Sequence, residues 1–175
     1  EDGLEDCDDA NDSNNDACLN TCDDASCGDG FACSESASCA QMPDGLEDCD
    51  DANTSNTDSC LSTCTSASCG DSFTWNSDGG NETCDDGNSS NNDACLNSCQ
   101  TASCGDNYTC SDALSCSSAP DGLEDCDDSN SNNNDDCLDI CSNATCGDGF
   151  TWNEAGGSED CDDANVLNND ACLDS

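Results

Sequence analysis

Between Cys7 and Cys18 the chain carries Asp8, Asp9, Asn11, Asn14 and Asp16, with Glu5 just ahead of the first cysteine. These are oxygen donors at alternating or near-alternating positions in one tight loop. A hard cation takes such a set: Ca2+ gathers roughly six to eight oxygens from carboxylates, amides, backbone carbonyls and water. The same donors return as Glu47, Asp50, Asp51, Asn53, Asn56 and Asp58, and as Glu82, Asp85, Asp86, Asn88, Asn91 and Asp93. They return again as Glu124, Asp127, Asp128, Asn130, Asn133 and Asp135, and as Glu159, Asp162, Asp163, Asn165, Asn168 and Asp170. The intervening positions drift, even to Val166-Leu167, while the donors stay fixed. Drifting side chains are therefore expected to point outward and fixed ones to ligate Ca2+. An acidic linker copied by recent duplication would explain the sameness, but not drift confined to certain positions. A second block, Cys-Gly-Asp followed two residues on by Phe or Tyr, comes after each of the first four loops. Its Asp29, Asp71, Asp106 and Asp148 suit either ligation or the capping of a turn.

The elements that hold these donors are repeats. The first cysteine of the loop falls at 7, 49, 84, 126 and 161, so long and short units of 42 and 35 residues alternate with a true period of 77. The expected units are 1–43, 44–78, 79–120, 121–155 and a truncated 156–175. Cys33 and Cys39, and Cys110 and Cys116, occur only in the long units, appearing and vanishing together, which predicts that each couple is bonded. Trp75 and Trp152 stand in the short units where Cys33 and Cys110 stand in the long ones, and are expected to plug the same spot by apolar burial. Four further cysteines per unit allow three pairings. Closing the acidic loop is favoured: Cys7–Cys18, Cys49–Cys60, Cys84–Cys95, Cys126–Cys137 and Cys161–Cys172. The last copy contains no other cysteines than Cys161 and Cys172. Gly, Asn, Asp and Ser dominate, so turns should prevail. A single helical turn is expected at Cys-Leu-x-x-Cys-x-x-Ala and a very short strand at Phe-Thr-Trp, with no long helix and no sizeable sheet.

Composition narrows the function. The chain has 175 residues, 42 of them acidic, and no Lys, Arg or His, for a formal charge of −42. Internal salt bridges are impossible. Nucleic acid is excluded as a partner because nothing neutralises phosphate, and an anionic membrane would repel the chain. Catalysis is not expected: there is no His, Lys or Arg to serve as base, nucleophile partner or oxyanion donor, and no apolar pocket pushes carboxylate pKa values apart. Zinc held by thiolates is disfavoured by the lack of His and of any Cys-x2-Cys pair. With 22 cysteines and few apolar side chains, covalent and metal cross-links must replace a conventional core. Cysteine use on this scale implies an oxidising compartment, outside the cell or on its surface. No apolar run long enough to span a membrane is present. The chain reads as a mature product or a segment of a longer array.

Gly-x-Glu-x-Cys-Asp-Asp-x-Asn-x-x-Asn-x-Asp-x-Cys-Leu-x-x-Cys followed by Cys-Gly-Asp-x-Phe resembles the myxobacterial-type disulfide-rich repeat. That likeness covers nearly the whole chain and implies arrays on large secreted or surface proteins, without catalytic activity. Only Gly87 keeps the glycine of that family's Asp-Asp-Gly-Asn. The ligand spacing also resembles the EF-hand rule, but that motif's central glycine and distant Glu are missing, so a calcium loop of another kind is expected. A looser likeness joins the loops to the calcium-binding repeats of thrombospondin and Notch-type proteins. The expected fold is a small disulfide-rich, metal-stabilised tandem repeat, mostly irregular with short turns, stacked into an elongated solenoid-like rod. The expected role is an extracellular rod, stalk or filament that self-associates or continues as a longer array. The competing class is a calcium-dependent adhesin or a glycan- or mineral-binding module. Asn-x-Ser/Thr sequons at Asn11, Asn53, Asn81, Asn88, Asn107 and Asn143 leave room for glycans, more readily at Asn81, Asn107 and Asn143 than where a sugar would crowd a metal.

Overall fold

The structure, a computed structural model, describes residues 5–167, 169 and 172. Asn168 and Asp170, expected as ligands of the fifth loop, lie outside the described residues. Among the described residues, regular structure is confined to two single 3-10 turns, Cys39–Gln41 and Cys116–Ser118, and to isolated antiparallel bridges. No α-helix or extended strand occurs among the described residues, as turn-forming composition predicts. The chain forms two compact units, Glu1–Asn88 and Ser89–Ser175.

Two local expectations are corrected. The Cys-Leu-x-x-Cys segment is a tight hairpin and not a helical turn. The Leu19 amide donates to the Asp23 carbonyl (2.9 Å), Cys22 donates back to Leu19 (2.7 Å), and Cys18 bridges Asp24. The hairpin needs a left-handed residue at its corner, and Cys22 supplies it at φ 64°, as Cys64, Cys99 and Cys141 do at φ 53°. A non-glycine residue there is strained by about 1–2 kcal/mol, and it persists because its carbonyl is fixed from outside. The Asp6 and Cys7 amides both donate to the Cys22 carbonyl, and Asp48 and Cys49 treat Cys64 in the same way. The Phe-Thr-Trp segments form no strand: each opens on a bend at the Phe.

The core is mostly sulfur. Leu19 and Ala25 pack with Cys33 and Cys39 in the first unit, and Leu96 and Ala102 with Cys110 and Cys116 in the second. The acidic loops are closed by Cys7–Cys18, Cys49–Cys60, Cys126–Cys137 and Cys161–Cys172, and the long repeats by Cys33–Cys39 and Cys110–Cys116, as the sequence led us to expect. Cys84 and Cys95 are also disulfide-bonded. The pairing left open is now visible: Cys27 joins Cys64 and Cys104 joins Cys141, so the Cys-Gly-Asp block of one repeat is bonded to the hairpin corner of the next. These bridges place the folded chain in an oxidising environment. No helix among the described residues is long and apolar enough to cross a membrane.

Trp75 does take the place of Cys33, because its amide donates to Glu82 (2.7 Å) as that of Cys33 donates to Glu47 (2.7 Å). It is half-exposed, however, and not a buried plug. Its ring lies on Gly80, where a Cβ would fall 2.3 Å from Cδ1, and its indole N–H reaches the Ser77 carbonyl (2.8 Å).

Candidate functional site

The alternating spacing of the loop has a local consequence. Asp8, Asp9, Asn11, Ser13 and Asp16 each accept the backbone amide two residues on, from Ala10, Asn11, Ser13, Asn15 and Cys18. Short polar side chains make this turn readily, and a run of them folds the loop without helix or sheet. Asn14 closes the far end by accepting from the Asn20 amide (2.8 Å), and Asn56, Asn91 and Asn133 do the same for Ser62, Asn97 and Asp139.

The first Asp of each later loop reaches into the preceding repeat. Asp50 Oδ2 accepts from Gly28 (2.7 Å) and Asp29 (3.1 Å), and its Oδ1 from Gly30 (2.8 Å) and from its own Ala52 (2.8 Å). Asp85 does this for Gly70, Asp71 and Ser72, and Asp127 for Gly105, Asp106 and Asn107. Asp162 holds Gly147 and Gly149. Successive backbone N–H groups in a tight turn form a natural anion cradle, and here the anion is a side chain of the next repeat. Burial pushes Asp50 up, but its four amide donors outweigh burial and hold it below the usual range; Asp85 behaves alike. For Asp162 the Ala164 amide leads the same lowering. Asp29, Asp71, Asp106 and Asp148 cap that turn, each accepting both the amide two residues on and the one three residues back.

Glu47 and Glu124 are buried against the same junction, each accepting an amide of the repeat before, from Cys33 and Cys110. Burial pushes both carboxyls up against that bond, and neighbouring aspartates add to it. Glu82 and Glu159 hold the amides of Trp75 and Trp152. Glu5, the first of the series, is exposed.

One position expected to face outward does not. Ala52 sits at φ 63° and turns its Cβ toward Gly30, where a Cβ would meet it at 3.3 Å. In the next junction the sizes are exchanged. Ser72 faces Gly87, and a Cβ on Gly87 would lie 2.1 Å from the Ser72 hydroxyl. In a third, Asn107 accepts from the Ser129 hydroxyl (2.7 Å), and in a fourth Gly149 faces Ala164. The drift at this position is a match between consecutive repeats.

The donors in the middle of the first and fourth loops face one another. The Asn11 amide nitrogen bridges Asp9 Oδ2 (2.6 Å) and Asp16 Oδ2 (3.0 Å), and Asn130 bridges Asp128 (2.7 Å) and Asp135 (3.0 Å). Asp16 and Asp135 are buried, and the Asn11 amide holds the Asp16 carboxyl below its usual range. Asp58, Asp93 and Asn53 repeat part of the pattern: Asn53 donates to Asp58 (3.3 Å), and Asp93 accepts the Cys95 amide. Asp51 and Asp86 accept only from their own turns among the bonds resolved, at Asn53 and Asn88, and Asn165 accepts from Leu167. Oxygens of Asp128, Asp135 and Asp136 lie within 4.8 Å of one another; Asp136 was missed because its position is not acidic in other copies. Cys27, Glu47 and Cys64 also converge, but both sulfurs are in one disulfide, so no thiolate is on offer there. The sequon amides Asn11 and Asn53 are used inside the loop, whereas Asn107 and Asn143 are exposed. No protein-family model, curated protein or solved structure matches this chain.

Proposed function

We propose that the chain is an extracellular structural repeat protein, a segment of a rod, stalk or filament. Its repeats are fastened by disulfides and carboxylate cradles and stiffened by Ca2+ in the acidic loops. The observation that carries this reading is the junction itself. Asp50, the Cys27–Cys64 bridge and Glu47 all tie one repeat to its neighbour. The chemistry that this sequence keeps most constant is therefore spent on continuity between repeats. The resemblance to myxobacterial-type arrays on secreted and surface proteins points the same way.

Calcium is argued from charge. Asp9 and Asp16 share one amide, and no cationic side chain exists anywhere in the chain to neutralise them. Two or three carboxylates with loop carbonyls supply only part of a Ca2+ shell, so water must complete it. That donor set fits the weak extracellular class, with dissociation constants of about 0.1–1 mM. Ligation falls to Asp9, Asn11 and Asp16 and their counterparts, while Asp8-type and Glu5-type residues serve the junctions.

Two measurements test the proposal. Small-angle scattering of the oxidised chain should give one sharp maximum dimension that broadens on reduction. Melting in about 10 mM Ca2+ (at least about tenfold above the expected dissociation constant) should exceed melting in EDTA. A dimension unchanged by reduction would refute the structural role. Identical melting in both buffers would remove the calcium.

A further inference from the structure

The first repeat carries the acceptor half of the junction. Asp8 occupies the place of Asp50 and Asp127, Cys22 that of Cys64 and Cys141, and Ala10 that of Ala52. The face is already shaped. Ala10 is at φ 58° and Cys22 at φ 64°, the left-handed values of the engaged copies. The Asp8 Oδ1–Ala10 turn and the double amide grip on the Cys22 carbonyl are both in place. The difference lies in what covers it. Cys64 and Cys141 are each 2% exposed and bonded, whereas Cys22 is a half-exposed free thiol and Asp8 is exposed. The Cys-Gly-Asp blocks at residues 27, 69, 104 and 146 have their turns on Asp50, Asp85, Asp127 and Asp162.

We propose that Asp8, Ala10 and Cys22 form a docking site for a Cys-Gly-Asp-Gly turn of a further repeat of this type, sealed by a disulfide to Cys22. The carboxylate of Asp8 takes the three turn amides, and the hairpin corner presents the sulfur. Ala10 sets the specificity. Alanine at this position faces glycine in two junctions, Ala52 with Gly30 and Ala164 with Gly149. The block carrying Ser72 faces Gly87, and the block carrying Asn107 faces Ser129. A Cys-Gly-Asp-Gly turn therefore matches the first repeat, whereas the hydroxyl of a Cys-Gly-Asp-Ser turn, which at Ser72 stands 2.1 Å from where a Cβ on Gly87 would lie, has to turn away from the Ala10 methyl. This site does not depend on whether the loops hold calcium.

The test uses the folded full chain and synthetic peptides with the sequence of residues 26–32, the cysteine carried as a mixed disulfide with 2-thiopyridine. The Cys22 sulfur gives up its proton and attacks the peptide sulfur. One S–S bond forms, the bond to thiopyridine breaks, and pyridinethione leaves with the electron pair and a proton. Docking should make this exchange at least about tenfold faster than with a scrambled peptide, because the sulfurs are held together. The peptide with Ser in place of the second glycine should react more slowly than the glycine peptide on the native chain. It should gain speed on Ala10→Gly, a change the left-handed backbone there tolerates. All chains carry Cys146→Ser so that the exchange reports on Cys22, and on that background Cys22→Ser should abolish the adduct, located after digestion at acidic residues. Equal rates for all peptides, no shift in preference on Ala10→Gly, or an adduct that survives Cys22→Ser would each overturn the proposal.

Discussion

Replacing Asp50 by Asn tests the junction with almost no change of shape. The carboxylate receives four amides, two on each oxygen: Gly28 and Asp29 on one, Gly30 and Ala52 on the other. Asparagine keeps one oxygen and sets an amide donor against the other two N–H groups. A hydrogen bond to a charged group is worth about 1.5–3 kcal/mol, and a facing pair of donors adds desolvation cost. Asp50 is half-exposed, so water recovers part of this. The expected loss is about 2–4 kcal/mol, confined to opening of the Cys-Gly-Asp turn, because Cys27–Cys64 still tethers it. Amide hydrogen exchange at Gly28 and Gly30 should accelerate by roughly 30- to 1,000-fold, at tenfold per 1.4 kcal/mol. Ala67, bonded to Ser59 in the adjacent hairpin, serves as the internal reference and should hold its protection. In EDTA, where its proposed role toward Ca2+ is silent, Asp51→Asn is the matched control, since that side chain accepts only within its own turn among the bonds resolved. Its effect should stay within about 0.5 kcal/mol. If Asp50→Asn changes Gly28 and Gly30 by less than about threefold (under 1 kcal/mol), the cradle does not hold the repeats together.

Stability should peak in mild acid. Asp50, Asp85, Asp162 and Asp16 are held low, so their contribution is present above the ordinary aspartate value near ~3.9 and disappears as pH falls below it. Glu47 and Glu124 are pushed up, so they favour the folded state when protonated and lose that contribution as pH rises through their raised values. Melting temperature should climb from pH 7 to about 4.5 and drop beneath about 3.5; a steady rise from pH 4 to 7 would contradict the assignment. Asn130→Asp places a third carboxylate between Asp128 and Asp135. With Ca2+ in that loop, calorimetry should show about tenfold tighter binding (about 1.4 kcal/mol), whereas loss of stability that Ca2+ does not rescue would count against the site. Removing Cys33–Cys39 by a double alanine change opens a short loop and a sulfur core around Leu19, and should cost at least about 2 kcal/mol in denaturant melts.

The pattern of repeats, the closed acidic loops and the long-unit cystines were legible because covariation inside one sequence reveals them: Cys33 and Cys39 come and go together. The junction was not legible, because its receiving groups are backbone amides, which every residue has. The Cys-Gly-Asp block advertises its glycines and not the N–H groups that those glycines bare. Ala52, Gly87 and Ser129 looked like idle drift until their partners Gly30, Ser72 and Asn107 were found 22, 15 and 22 residues away. Comparing the two columns together would have exposed the match; either column alone shows only tolerance of small residues.

The absence of Lys, Arg and His explains why the fold looks as it does. A carboxylate taken from water needs donors, and here only backbone amides, side-chain amides and hydroxyls can supply them. Folding must therefore bring carboxylates to exposed N–H groups, which are most concentrated in tight turns and least available in helices and sheets. A long helix or sheet would consume those amides and leave the acids unmatched. The irregular backbone thus leaves turn amides open to the acids that pack at the junctions, and the disulfides hold a chain that has neither a greasy core nor an ion pair to do so. Adding a cationic side chain should relieve the constraint: Asn132→Lys, beside Glu154 (2.8 Å from the Asn132 amide), places the chain's first internal ion pair. Such an exposed pair should add no more than about 1 kcal/mol in low salt and less in high salt. A stabilisation several times larger in guanidinium-free thermal melts would mean that unmatched charge, and not turn geometry, limits this fold.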